Sequence, residues 1–295
     1  MTPDEYCQEK AAQSGSSFYY SFLFLPPRER RAITALYAFC REVDDVADEC
    51  SDAAVARTKL AWWRTQIDAT CQAALRPTEP VTPAGAQQSM NGPQHPVAQA
   101  LVPIIATFRL PRERLYEIID GMEMDLTQRR YADFAALRLY CHRVAGVVGL
   151  LSAEIFGYQD PRTLAYAESL GLAFQLTNII RDVGEDARRD RVYLPLDELA
   201  RFGVDVADVL EARDGEGFRR LLQFQIERAL GYYREAMSAL PAIDRKSQRP
   251  GLVMAAIYQA LLEEIRTDVG SVLTERTSLT PLRKIWIAWR TWHKA

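Results

Sequence analysis

From Pro27 to Glu49 the chain reads PRERRAITALYAFCREVDDVADE, with Ile33, Leu36, Cys40, Val43 and Ala47 recurring three and four apart. That spacing gathers them on one stripe of a helix, and Pro27 suits a first helical position. Pro111 opens PRERLYEIIDGMEMDL in the same way. Asp160-Pro161 reads as a cap and first-turn proline of a helix running to about Arg189. Residues 140–157, 215–240 and 250–273 are further helical patterns, and few stretches alternate with the period of a strand. The pattern predicts an all-α fold with one domain over 1–295. Residues 76–96, RPTEPVTPAGAQQSMNGPQHP, interrupt it. So much proline, glycine and small polar residue predicts a loop on the surface. Similar helices flank it, so it does not mark a domain boundary.

Two of these helices carry a polar stripe beside the apolar one. On 27–49 it is Tyr37, Arg41, Asp44 and Asp48. Downstream, Leu172, Leu176, Ile179 and Val183 are flanked by Gln175, Asn178, Asp182 and Asp186. Residues four apart differ by only ~40° around a helix axis, so each D-x-x-x-D pair points one way from successive turns. One such pair is common on a solvated face. Amides inside a helix have modest propensity and are less expected there. Recurrence of the whole arrangement predicts two helices facing one another across a cavity. Four carboxylates meeting there repel unless cations lie between them, and Mg²⁺ fits. It is hard, prefers oxygen, and takes one or two carboxylates together with waters and substrate phosphates. Arg41, and Arg181, Arg188, Arg189 and Arg191 near the second stripe, suit a polyanion such as a diphosphate. In YCHRVAGVVGLLSAEIFG, Ala145, Gly146, Gly149, Ser152 and Ala153 leave one side small. Interior glycines cost ~1 kcal/mol each relative to alanine and so need a reason. Alone, this segment reads as close helix packing; beside the acidic helices it reads as the wall of an apolar tunnel.

Composition narrows the classes further. The 295 residues are 48% hydrophobic and 25% charged with a net charge of −3, which fits a soluble globular protein and excludes a global basic footprint for nucleic acid. Five scattered cysteines without C-x-x-C predict free thiols in a reducing compartment, and three distant histidines offer no zinc spacing. The polar, acidic MTPDEYCQEK does not read as a signal peptide, and no stretch approaches the ~18 apolar residues of a membrane span. A cytoplasmic protein is expected.

SGSSFYYSFLFLP, LYAFCREVDDVADE, YCHRVAGVVG and QLTNIIRDVGEDARRDRVYLP together resemble the squalene/phytoene synthase family of head-to-head prenyl transferases, across roughly Tyr6 to Arg276. SSFYYSFLF and GMEMDL are most similar to its bacterial presqualene diphosphate synthases of hopanoid pathways. The resemblance implies an isoprenoid synthase helical fold with a central cavity. It implies that Asp44 and Asp48, with Asp182 and Asp186 and the nearby Asn178, serve Mg²⁺ and diphosphate. Tyr37 and Arg41 would stand beside the first diphosphate, Gln175, Asn178 and Arg181 beside the second motif, and Arg188 and Arg189 at its end. Ser14, Ser16 and Ser17 fall in the family's N-terminal diphosphate-contacting segment. Tyr258 and Arg276 match its C-terminal contacts. Tyr140 matches a tyrosine of the reaction cavity, with Val144, Ala145 and Val148 along the hydrocarbon chain. The chain departs from relatives that carry a histidine or lysine in the N-terminal segment, where it reads AAQSGSSF.

The implied reaction joins two farnesyl diphosphates into presqualene diphosphate with Mg²⁺ and without NADPH. A squalene-forming enzyme would act downstream. Complete squalene synthase and phytoene synthase acting on geranylgeranyl diphosphate are the rivals within the class; a non-catalytic lipid-binding or assembly subunit is the rival outside it, and the intact motifs count against it. At the C-terminus, Leu282, Ile285, Trp286, Trp289 and Trp292 approximate one helical face, with Arg283, Lys284, Arg290 and Lys294 supplying charge. Such a helix suits peripheral contact with the inner face of a membrane, or docking on the body with its basic residues solvated.

Overall fold

The computed structural model describes residues 1–13, 21–22, 24–50, 52–75 and 92–294. Among them every regular element is helical, and the chain divides into two compact units, Met1–Leu126 and Thr127–Ala295. Most of the predicted loop, 76–91, lies outside the described residues, as do Ser14, Ser16 and Ser17.

The first unit holds α1 (Pro3–Gln13), α2 (Pro27–Glu49), α3 (Ala53–Ala74), α4 (Pro96–Phe108) and α5 (Arg112–Asp125). Helix α2 packs against all four others. Its apolar stripe is buried as the spacing requires, through Ile33, Leu36, Val43 and Ala47, with Cys40 half-buried. Phe39 meets Trp63 of α3 edge to face at 5.7 Å, and Leu60, Leu101, Leu115 and Ile118 close the core around them.

The second unit is built on one helix. After α6 (Phe134–Cys141), a π turn (His142–Gly146) and α7 (Val147–Phe156), the chain enters α8 (Arg162–Arg188), 27 residues long. Then follow α9 (Leu196–Arg201), α10 (Val206–Leu210), α11 (Glu216–Ala239), α12 (Arg249–Thr267) and α13 (Pro281–Lys294). Helix α8 contacts α6, the π turn, α7, α10, α11 and α12, as well as a 3₁₀ turn at Val269–Leu273. Most of its length is therefore buried.

Two sequence expectations need correction here. The segment 140–157 is not one regular α-helix, because the π turn interrupts it at His142–Gly146. Its glycine does not leave room either: a Cβ on Gly149 would lie 2.2 Å from the Ala167 carbonyl oxygen, and one on Gly171 2.4 Å from that of Ala145. Close packing against α8 is what these glycines serve. The pattern at 250–273 is also not one helix. Asp268, at φ −148° and ψ 86°, ends it, and the apolar residues beyond continue in the 3₁₀ turn. Helix α8 begins at Arg162 as the Asp160-Pro161 signal requires, with Asp160 accepting from the Arg162 amide at 2.9 Å. The turn before it is braced from a distance. Asp244 accepts from the Gln159 and Asp160 amides at 2.8 and 3.0 Å and from Thr163 Oγ1 at 2.7 Å. These bonds outweigh the burial that opposes its charge and hold its carboxyl below the usual carboxylate range.

The 23 residues Phe134–Phe156 are long and apolar enough to cross a membrane by length and composition alone. Here Leu137, Tyr140, Val147, Leu151 and Ile155 are buried and the segment packs along α8.

Candidate active site

In the first unit, Tyr37, Arg41, Asp44 and Asp48 keep the partial exposure predicted for a polar stripe, with Asp48 the most open. Their charges are locally matched. Arg41 donates to Asp44 at 2.6 Å and to Asp45 at 2.7 Å, and Lys10 of α1 reaches Asp45 at 2.7 Å and Glu42 at 3.0 Å. Asp44 is nevertheless pushed up to about 7, by burial first and then by Asp48, Asp125 and Asp45, against the pull of Arg41. Asp125, buried at the end of α5, was not anticipated as part of this group.

In the second unit the polar stripe of α8 is a seam along an otherwise buried helix. Gln175, Asn178, Arg181, Asp182, Glu185 and Asp186 are partly open, while Leu172, Leu176, Ile179 and Val183 are closed. Between the two aspartates, Gly184 lets the 3₁₀ turn approach, since a Cβ there would lie 2.2 Å from the Leu273 carbonyl oxygen. Around Asp182 the residues matched from distant segments come together. Arg181 grips both of its carboxylate oxygens, and Arg276 donates to Oδ1 at 2.9 Å while lying 3.4 Å from Glu185. Burial disfavours the Arg181 cation, but bonds to Asp182 and Tyr258 overcome it and hold the guanidinium more firmly protonated than usual.

Lys284 of α13 belongs to this cluster and was not singled out as one of its members. Burial, then the positive charges of Arg181 and Arg276, lower its pKa. Three cations this near to one another are suited to a further anion. Arg188 and Arg189 lie exposed at the end of α8, beyond this cluster. Asp190 is held by Arg129 at 2.8 Å and Arg130 at 2.6 Å, and Val192 pairs with the segment before Tyr131. That pairing places Tyr193 against Tyr140, ring centroids 5.2 Å apart and 24° from parallel, with Tyr131 5.6 Å from Tyr140. Tyr140 is thus buried in an aromatic group, while Val144, Ala145 and Val148 of the neighbouring turns stay partly open.

Among the described residues no three His, Cys, Asp or Glu side chains form a ready cage for a metal ion. The donor set nonetheless fits Mg²⁺, which is ordinarily bound through one or two carboxylates and completed by waters and substrate phosphates. Asn178 Oδ1, one turn before Asp182, is buried without a hydrogen-bond partner. Such an orphaned acceptor is costly unless an ion or water meets it.

The profile of squalene/phytoene synthase matches residues 11–283, a span that runs through both units. The phytoene synthase of Arthrospira platensis is 34% identical over 294 residues, covering 95% of this chain and 89% of that one. The 15-cis-phytoene synthase of a Synechocystis strain is 33% identical over 300 residues, with 97% and 84% covered. Among solved structures, a dehydrosqualene synthase in complex with ligand superposes with a TM-score of 0.84 at 25% identity, over 99% of this chain and 96% of that one. A squalene synthase from Alicyclobacillus acidocaldarius gives 0.75 at 26% identity, over 90% and 94%.

Proposed function

Because the chain belongs to the squalene/phytoene synthase family of head-to-head prenyl transferases, we propose that it condenses two farnesyl diphosphates into presqualene diphosphate, releasing one diphosphate and one proton. The observation that carries a diphosphate chemistry is the α8 seam: Asn178, Asp182 and Asp186 in line, with Arg181, Arg276 and Lys284 clustered beside Asp182. Asp44, Asp48, Asn178, Asp182 and Asp186 would hold Mg²⁺, whose chemistry when bound is to neutralise charge on a leaving diphosphate. Arg181, Arg276, Lys284 and Tyr258 bind the diphosphate oxygens on the second unit, and Tyr37 and Arg41 do so on the first. Ser14, Ser16 and Ser17 are assigned the same role from the resemblance alone.

Ionisation of the allylic carbon–oxygen bond leaves a carbocation that water would quench. Val144, Ala145 and Val148 exclude it with an apolar wall. The double bond of the second prenyl chain then attacks, and loss of a proton closes the cyclopropane. Tyr140 or the released diphosphate accepts that proton. The product retains one diphosphate, so a reductive enzyme that expels it and delivers a hydride to give squalene would act next.

A second reading is phytoene synthase acting on geranylgeranyl diphosphate, favoured by the 34% and 33% identical relatives. The C15 reading is favoured by the SSFYYSFLF and GMEMDL wording. Product analysis after incubating purified protein with Mg²⁺ and C15 or C20 diphosphate decides between them. We expect a C30 cyclopropyl diphosphate from the C15 substrate, unchanged by NADPH. It should be lost on chelation and in the folded variants Asp48→Ala and Asp182→Ala. Preference for the C20 substrate would reassign the chain to phytoene synthesis, and NADPH-driven conversion to squalene would make it a full squalene synthase.

A further inference from the structure

The sequence left two fates for the apolar face at the C-terminus: buried on the body, or turned to a membrane. In the structure α13 is docked, but through other residues. Ile287 and Ala288, 9% and 1% exposed, are its buried pair, and it packs on α12. Trp292 is half-buried, with Arg249 of α12 5.6 Å from its ring centroid, but four apolar side chains stay outside: Leu282 is 80% exposed, Ile285 45%, Trp286 54% and Trp289 54%. Docking therefore does not account for them. Two tryptophans and two branched aliphatics turned to water from one 14-residue helix are an unusual load for a surface.

The charge on the same helix says what kind of surface would meet them. Residues 281–294 contain Arg283, Lys284, Arg290, His293 and Lys294 and no acidic residue. Arg283 is taken up by Glu264 at 2.6 Å, and Lys284 belongs to the cationic cluster near Asp182. Arg290 instead lies over the Trp286 ring, 5.1 Å from its centroid, so cation and indole are presented together. Indole beside a basic group is the pairing suited to the boundary between acyl chains and headgroup phosphates. A second copy of the chain fits less well. A two-fold contact through this face would oppose like charges, with no acid on the helix to meet them.

We propose that the outer face of α13 is a docking surface for a bilayer with anionic headgroups, on which the helix lies flat with Leu282, Ile285, Trp286 and Trp289 in the interface. The proposal holds for either prenyl diphosphate. Because Lys284 on the same helix is close enough to Arg181 and Arg276 to feel their charge, the element that meets the bilayer also contributes to the anion-binding cluster.

The test uses the full chain, because deleting α13 would also remove Lys284 and the docked Ile287 and Ala288. Co-sedimentation with phosphatidylcholine vesicles, with and without phosphatidylglycerol, is compared for wild type, the Trp286→Ser/Trp289→Ser double variant and Arg290→Glu. Wild type should bind the phosphatidylglycerol vesicles and release them as salt rises. The double variant should bind about tenfold more weakly or worse, and Arg290→Glu should also bind more weakly. Both variants should keep wild-type circular dichroism and turnover of detergent-solubilised substrate. Equal vesicle binding by wild type and the double variant overturns the proposal. So does failure of wild type to bind phosphatidylglycerol vesicles, or equal binding to neutral ones. A dimer seen by light scattering that the double variant abolishes, without vesicle binding, would assign the face to a second copy instead.

Discussion

Asp44 shows what the acidic stripe costs the folded chain. Its carboxyl is raised from an ordinary value to about 7, so the folded state holds its proton more tightly than the unfolded chain does. As pH rises from about 4 to 7 the unfolded state gives up that proton first, and stability falls across that window. Above it the full penalty is present. Asp44→Asn removes the charge while leaving an oxygen for Arg41, so the metal-free variant should be more stable than wild type at pH 8 by about 1–2 kcal/mol, a discounted part of the ~4 kcal/mol the shift would imply. The difference should vanish near pH 4. Urea midpoints at the two pH values, in the presence of chelator, measure it; an equal midpoint at pH 8 would contradict it. At this scale the sequence was informative wherever a helix period joined residues of one kind. Gln175, Asn178, Asp182 and Asp186 could be read because they sit on one helix. Lys284 and Asp125 could not be assigned to the acidic groups they join. Each lies far along the chain from them, and nothing in its own segment distinguishes it from a solvated helix end.

Helices, by contrast, announced themselves by period and by proline, and α2, α5, α8 and α11 lie within a residue or two of their predicted bounds. What the period could not convey was how closely they approach. Gly149 read as close packing on its own and as tunnel wall beside the acidic helices, and the backbone positions decide for packing, with Gly171 of α8 serving the same contact from the other side. The distant brace from Asp244 on the turn before α8 was hidden as well, since the bonds it makes span 81 to 85 residues of chain. A pair of glycine substitutions separates packing from propensity. Gly171→Ala places a methyl 2.4 Å from the Ala145 carbonyl oxygen and 2.9 Å from Gly146 Cα, so backbone must move. We expect a loss of about 2–3 kcal/mol, typical of overpacking. Gly231→Ala, inside α11, meets nothing closer than the Arg234 guanidinium at 3.9 Å. It should be neutral or stabilising by up to ~1 kcal/mol through helix propensity. Thermal denaturation of the two variants checks the pair, and similar midpoints would contradict the packing account.

On the scale of the molecule, the family match crosses both compact units, while each unit holds one aspartate stripe on its own central helix. In the second unit that helix is α8, which the surrounding elements meet from most sides. Such an element has no independent way to open: freeing its amides means detaching α6, α7, α11 and α12 as well. Deuterium should therefore enter the amides between Leu170 and Ile180 only when the whole unit unfolds, whereas those of α13, with its single docked edge, should exchange by local opening. Hydrogen-exchange mass spectrometry of the intact protein reads both rates. Slow exchange along α8 would mean that Asn178 and Asp182 are held in register before any ligand arrives, so binding would spend little of its free energy on ordering them.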